Sequence, residues 1–186
     1  MFNRVVIVIG IVITLTCYNN LHAATVIGYN AYDEYWATEI LGIQVGVTTY
    51  NVDFMSGSYN SLWSTGGFDV PNAVTAQAAC SQIVTALNSH SPRPNRIIES
   101  GVAAWPPYGY YLIPYGKNVD GTINSAHGQN KDLKIPDWYY PGDFLNGDPS
   151  MKMMYARLEV VPIPATVWLL GAGLVGLVGL RRRFKK

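Results

Sequence analysis

Few side chains in this sequence could carry covalent or acid–base chemistry. His90 and His127 are the histidines downstream of residue 24. No G-x-S-x-G elbow, H-E-x-x-H helix or C-x-x-C pair occurs. A Cys80–His90 dyad would need a thiolate beside an imidazole. Cys80 instead sits in an alanine-rich run, Ala76-Gln77-Ala78-Ala79-Cys80, that reads as helix core. Asp137 and Asp143 flank Trp138-Tyr139-Tyr140, a pattern compatible with a two-carboxylate glycosidase, although spacing along the chain does not fix the separation that such chemistry needs. Gly116 to His127 partly mimics a calcium loop, with Asn118, Asp120 and Asn124 at oxygen-ligand positions and Gly121 at the turn. Gly116 replaces the first ligand and His127 the closing acid, so a plain β-turn is the better account. The sequence therefore predicts no catalytic residue, no metal and no cofactor, and the chain reads as a non-enzyme.

Aromatic side chains are the remaining chemical signal. Residues 24–186 hold 12 of the 13 tyrosines. Trp105-Pro106-Pro107-Tyr108 and Trp138-Tyr139-Tyr140-Pro141 fall in loop-like surroundings. Rings at Trp105, Tyr108, Trp138 and Tyr139 could stack on sugar faces. The competing reading, that they cover the core of a small β-rich domain, carries more weight.

The elements that must position these residues divide the 186-residue chain into three parts. Arg4, the uncharged run Val5 to Thr16 and the small-residue site Leu21-His22-Ala23-Ala24 make residues 1–23 a secretory signal peptide with cleavage after Ala23. At the other end, Ile163 to Leu180 is 18 residues without a charge, followed by Arg181-Arg182-Arg183-Phe184-Lys185-Lys186. A helix of that length covers roughly 27 Å, close to a bilayer core. The basic cluster (Arg181, Arg182, Arg183, Lys185, Lys186) should stay cytoplasmic and leave the preceding segment outside. Six of the 13 basic residues belong to these two ends. The segment 24–161 therefore carries seven cations against 12 acids, a net of −5, which disfavours nucleic-acid binding. With Cys17 in the signal peptide, Cys80 is left without an internal disulfide partner and should be buried.

Residues 24–160 read as an extracellular α+β domain: antiparallel strands with one main helix, plus the C-terminal transmembrane helix. Strands are expected at Thr25–Tyr29, Ile43–Val47, Thr48–Phe54, Tyr108–Tyr115 and Met151–Val161, with Gly46 bending the second into the third. Tyr32–Leu41 is ambiguous and compatible with a short helix. The clear helix is Ala73–Leu87, capped by Asn72, with Val74, Ala78, Ile83 and Leu87 as its apolar stripe. Ser56-Gly57-Ser58 reads as a turn and residues 116–150 as loop. Met153, Tyr155, Leu158 and Val160 are the core candidates of the last strand.

The tail reads Val161-Pro162-Ile163-Pro164-Ala165-Thr166-Val167-Trp168-Leu169-Leu170-Gly171, then a Gly-rich apolar stretch, then arginines. This resembles the PEP-CTERM sorting signal of Gram-negative bacteria, in a VP-x-PA variant with Ile163 where the family's eponymous Glu stands. The resemblance covers Val161 to Lys186. It implies that an exosortase recognises Val161, Pro162, Ile163, Pro164 and Ala165. It further implies an inner-membrane intermediate, then residence at the cell surface or in the exopolysaccharide and biofilm matrix. The stretch Ile43 to Trp63 also resembles the opening hairpin of an extracellular domain common in such proteins. The alternative is a secreted carbohydrate-binding module or polysaccharide-acting hydrolase.

Overall fold

The computed structural model describes residues 24–31, 34–64, 67–98, 109–132, 134 and 136–162. The signal-peptide segment, Trp105, Tyr108, Ile163, Pro164, Ala165 and the basic cluster Arg181–Lys186 lie outside them. Among the described residues no helix is long and apolar enough to cross a membrane; the expected span at 163–180 lies beyond this set.

Eight strands and two helices follow the order β1 (Thr25–Ala31), β2 (Glu34–Val45), β3 (Thr48–Ser58), α1 (Tyr59–Leu62), α2 (Ala73–Ser89), β4 (Arg96–Ile97), β5 (Tyr110–Lys117), β6 (Ile123–Asn130), β7 (Trp138–Gly147) and β8 (Lys152–Val160). They form one sheet in the order β1-β2-β3-β8-β5-β6-β7, with β4 beside β2. The result is the β-rich α+β class with one main helix. Pairing is antiparallel except for β5 with β8 and β4 with β2, which run parallel. The last strand thus lies in mid-sheet, with its long antiparallel register on β3, from Tyr50 opposite Val160 to Ser58 opposite Lys152.

Alternation along the central strands builds two cores. On β8, Met154, Ala156 and Leu158 face one cluster, and Met153 and Tyr155 the other. On β5, Tyr111 and Ile113 face the first and Leu112 the second. This is the period-2 geometry of a sheet buried on both faces. The first core is closed by α2, which packs against β2 on one wing and β5, β6 and β7 on the other. The second is closed by Tyr59 and Trp63 around α1, whose rings stack at 5.3 Å.

The β2–β3 hairpin turns at Gly46 and Val47, between the paired Val45 and Thr48. Gly46 takes φ +61 and Val47 does not have a positive φ, the pattern of a type II′ turn, which favours Gly at its first central position. Several expectations are corrected. Residues 34–41 are strand, not helix: Trp36 lies opposite Tyr29, and the rings meet edge-on at 5.2 Å. Ser56–Ser58 is not a turn but the end of β3, and Ser58 then caps α1 through a reciprocal pair of hydrogen bonds with Ser61. Residues 116–150 are not loop: they hold β6 and β7. Helix α2 starts where expected, with Asn72 Oδ1 accepting from the Thr75 N–H at 2.9 Å. Its buried face is Ala76, Ala79, Cys80, Ile83, Ala86 and Leu87, whereas Val74 and Ala78 of the expected stripe are exposed. Val160, at the end of its strand, is also exposed.

Candidate functional site

The densest polar arrangement centres on Asp143. Strand β7 carries Tyr140 and Asp143, β5 supplies Tyr115 and α2 supplies Gln77. Gly142 takes φ +130 and the β6–β7 register shifts between His127 and Gln129. Tyr140 Oη donates to Asp143 Oδ1 at 2.5 Å, and Tyr115 Oη donates to Oδ2 at 2.9 Å. Gln77 Nε2 reaches both carboxylate oxygens, at 3.1 and 3.3 Å. Burial pushes the Asp143 carboxyl up, but the bonds from Tyr140, Tyr115 and Gln77, with His127 nearby, outweigh it and hold the group below the ordinary carboxylate range. The same contacts work the other way on the phenols. Burial and the Asp143 carboxylate push Tyr115 up to about 12 and Tyr140 well above its usual value.

This geometry fixes the chemistry. An ionised carboxylate whose oxygens each accept two hydrogen bonds is neither a free base nor a nucleophile. Phenols raised this far do not shuttle protons near neutral pH. The cluster is a clamp joining the helix to β5 and β7. His127 lies on β6 opposite Gly142, and burial lowers its pKa against the opposing pull of the Gly142 backbone and Asp143. Its Nδ1 is buried without a hydrogen-bond partner, and its ring meets Phe144 edge-on.

The two-carboxylate reading does not survive the fold. Trp138 and Asp143 lie opposite Asn130 and Ala126, four residues apart on β6 or roughly 13 Å at ~3.3 Å per residue, with Asp137 one residue further still, whereas glycosidase pairs lie about 5–9.5 Å apart. Nor do Cys80 and His90 meet. Ten residues of helix put them roughly 15 Å apart along the axis. Cys80 is fully buried, with its Sγ 3.4 Å from Tyr111 Oη, and His90 stacks on Tyr35 at 5.0 Å. The calcium-like stretch is the β5–β6 turn. Asp120 Oδ1 accepts from the backbone and hydroxyl of Thr122, and Asn118 and Asn124 exchange side-chain hydrogen bonds. Among the described residues no group of three or more His, Cys, Asp or Glu gathers as a metal-ion site.

Trp138 is corrected from a sugar-stacking residue to a core residue. It is 2% exposed. Its Nε1 donates to Pro94 O at 2.6 Å, and Asn88 clamps its backbone from both sides, accepting from its N–H at 3.0 Å and donating to its carbonyl at 2.7 Å. With its polar tip satisfied inside, the ring has no reason to face water. Tyr139, the next residue, points the other way and is exposed. Of the sorting motif, Val161 still bonds to the sheet through its N–H to Thr49 O at 2.9 Å, and Pro162 is exposed beyond it.

Gln77, Tyr115 and Tyr140 were missed by sequence reasoning. Only the i, i+3 spacing of Tyr140 and Asp143 hints at the cluster, and that spacing on a regular strand would put the two on opposite faces. The Gly142 irregularity brings them together. No protein-family model, curated protein or solved structure matches the chain.

Proposed function

We propose that this chain is an exported, non-enzymatic cell-surface or extracellular-matrix protein of a Gram-negative bacterium, processed at its tail by an exosortase and residing with exopolysaccharide. The observation that carries the reading is the order of features from Val161 to Lys186: a proline-interrupted motif, an uncharged run of 18 residues, then five cations. Prolines lack the N–H needed to extend a sheet or a helix interior, so Pro162 and Pro164 suit a short extended strip between domain and membrane, as a processing enzyme requires. The fold is compatible with cutting there. Among the described residues every strand lies within residues 25–160, so cleavage at Val161–Ala165 would remove no strand. The saturated Asp143 carboxylate and the distance to Asp137 argue against the hydrolase alternative.

The test is the intact mass of the mature protein from wild-type and exosortase-deficient cells. The expected result is loss of the residues beyond the motif in wild type and their retention in the deficient strain. Identical tails in both would overturn the sorting assignment.

A further inference from the structure

A cleft of about 300 Å³ opens between the β1–β2 hairpin, the segment after α2 and the segment before β7. That volume falls at the lower end of small-molecule sites, roughly 300–1,000 Å³. Its walls come from four parts of the chain: Asn30 of β1, Tyr35 of β2, Pro92, Arg93 and Asn95 after α2, and Lys134 and Pro136 before β7. None of these residues belongs to the clamp or to the tail.

The cleft is preformed. The Asn95 N–H donates to Tyr35 O at 2.9 Å, and the Asn130 side chain donates to Asn95 O at 2.7 Å. Pro94 is pinned by the Trp138 indole, and Ile98 N–H bonds to Ala37 O. Tyr35 is held from behind by the stacked His90 ring. The loop bearing Arg93 is therefore fixed to β2, β6 and β7 at once.

Charge singles the cleft out. Between residues 24 and 161 the chain carries seven cations against 12 acids. Two of the seven, Arg93 and Lys134, line it and no acid does, with Arg96 of β4 and Lys131 close by in sequence. The nearby Glu34 is engaged by Arg96 at 3.2 Å and by the Trp36 indole. Arg93 and Lys134 are exposed and make no ion pair among the described residues. Asp132 and Asp137 keep two negative charges on the segment before β7, where Asp132 Oδ1 accepts the Lys134 backbone N–H, so attraction for an anion depends on both cations together.

We infer that this cleft binds an anionic saccharide: a sugar ring bearing a carboxylate or sulfate, set against Tyr35 and the apolar rings of Pro92 and Pro136, with its charge between Arg93 and Lys134. Arginine offers a planar fork to such oxyanions and lysine a point charge. The ring supplies an apolar face beside hydroxyls that the exposed Asn30 wall can meet. This binding does not depend on how the tail is processed.

The experiment is calorimetric titration of the full chain in a neutral detergent with three probes: a polygalacturonate tetramer, a heparin tetrasaccharide and maltotetraose. Saturable binding of either charged probe with none of maltotetraose is expected, and the stronger of the two identifies the anion. Arg93→Ala with Lys134→Ala should weaken binding by about tenfold or more, because two charge-assisted contacts are lost. Lys117→Ala, on the β5–β6 turn, should leave it unchanged. Near-ultraviolet circular dichroism establishes that each variant is folded. Absence of saturable binding by both charged probes, equal binding of maltotetraose, or wild-type affinity in the folded double variant would each overturn the inference.

Discussion

Gly128→Ala should be among the most damaging conservative changes in this protein. A Cβ built at Gly128 falls 2.3 Å from Tyr111 Cζ and 2.4 Å from both Cε1 and Oη. Ordinary contact begins near 3.4 Å, so the ring would have to retreat by about 1 Å. It has nowhere to go. Tyr111 is 0% exposed, with Phe54 at 5.6 Å and Trp138 at 6.2 Å between ring centroids. Its hydroxyl donates to Cys80 O at 3.1 Å. Overpacking a filled core costs about 1–3 kcal/mol, and stranding a buried hydroxyl or carbonyl adds about 1–3 kcal/mol. The expected loss is therefore about 2–6 kcal/mol, a large share of the roughly 5–15 kcal/mol that holds a domain together. Urea unfolding followed by tryptophan fluorescence measures it as a lower midpoint at unchanged slope. Tyr111→Leu is destabilising alone but vacates the space, so the double variant should be markedly more stable than the two losses added. A Gly128→Ala loss below about 0.5 kcal/mol, or additivity within about 0.5 kcal/mol, would refute the packing argument.

Asp143→Asn should destabilise by about 1–3 kcal/mol at neutral pH, since it weakens hydrogen bonds to a charged acceptor. The wild-type carboxyl is depressed on folding, so its contribution is present above its unfolded pKa and lost as pH falls through the folded value; acid titration of stability should be flatter in the variant. Cys80, pushed up to about 12 mainly by burial, should not react with a disulfide reagent at pH 8 in the native state and should react fully in urea. Asn72→Ala removes the cap on the Thr75 N–H and should lower stability by about 1 kcal/mol, read from the same urea transitions.

What the sequence made legible were the features with strong local causes. Helix α2 could be read because a capping asparagine precedes a run free of Gly and Pro, and the β2–β3 hairpin because Gly46 separates two alternating segments. The contact face of α2 was less legible. Ile83 and Leu87 are buried as expected, but Val74, which looks like an anchor, is not, and the rest of the contact face is Ala76, Ala79, Cys80 and Ala86. Hydrophobicity ranks valine above alanine, but the aromatic rings of Tyr111 and Trp138 already fill the space below, so small residues are needed above them. The largest failure was β6 and β7. Their Gly, Asn and Asp content is the composition of loops. In β6 those residues serve other ends: Gly128 leaves room for Tyr111, while Asn118, Asn124 and Asn146 join the β5–β6 turn to β7 through their amides. Such residues pass as strand because β6 is bonded on both sides, to β5 and β7, and backbone pairing there does not need apolar side chains. The Asp143 clamp could not be read for a simpler reason. Gln77 lies 66 residues away and Tyr115 lies 28 away, and only the packed sheet makes them neighbours.

The aromatic residues show how the same physics separates core from binding surface. A tyrosine or tryptophan turns inward when its polar tip finds a partner inside. Trp138 finds Pro94 O, Tyr111 finds Cys80 O, Trp63 finds Asp69 Oδ1 at 3.0 Å and Tyr59 finds Gly67 O at 2.8 Å. Each of these rings is buried. Their acceptors are supplied by chain segments next to the sheet, so the aromatic wealth of the sequence is largely consumed in joining loops to strands. Tyr35 differs in position. Its ring is backed by His90 and borders open space, with Arg93 and Lys134 across from it and neither engaged in an ion pair among the described residues. Of the rings that stood out in the sequence, Trp138 holds the loop that bears Arg93, and the inferred saccharide site turns instead on Tyr35, a tyrosine that did not stand out.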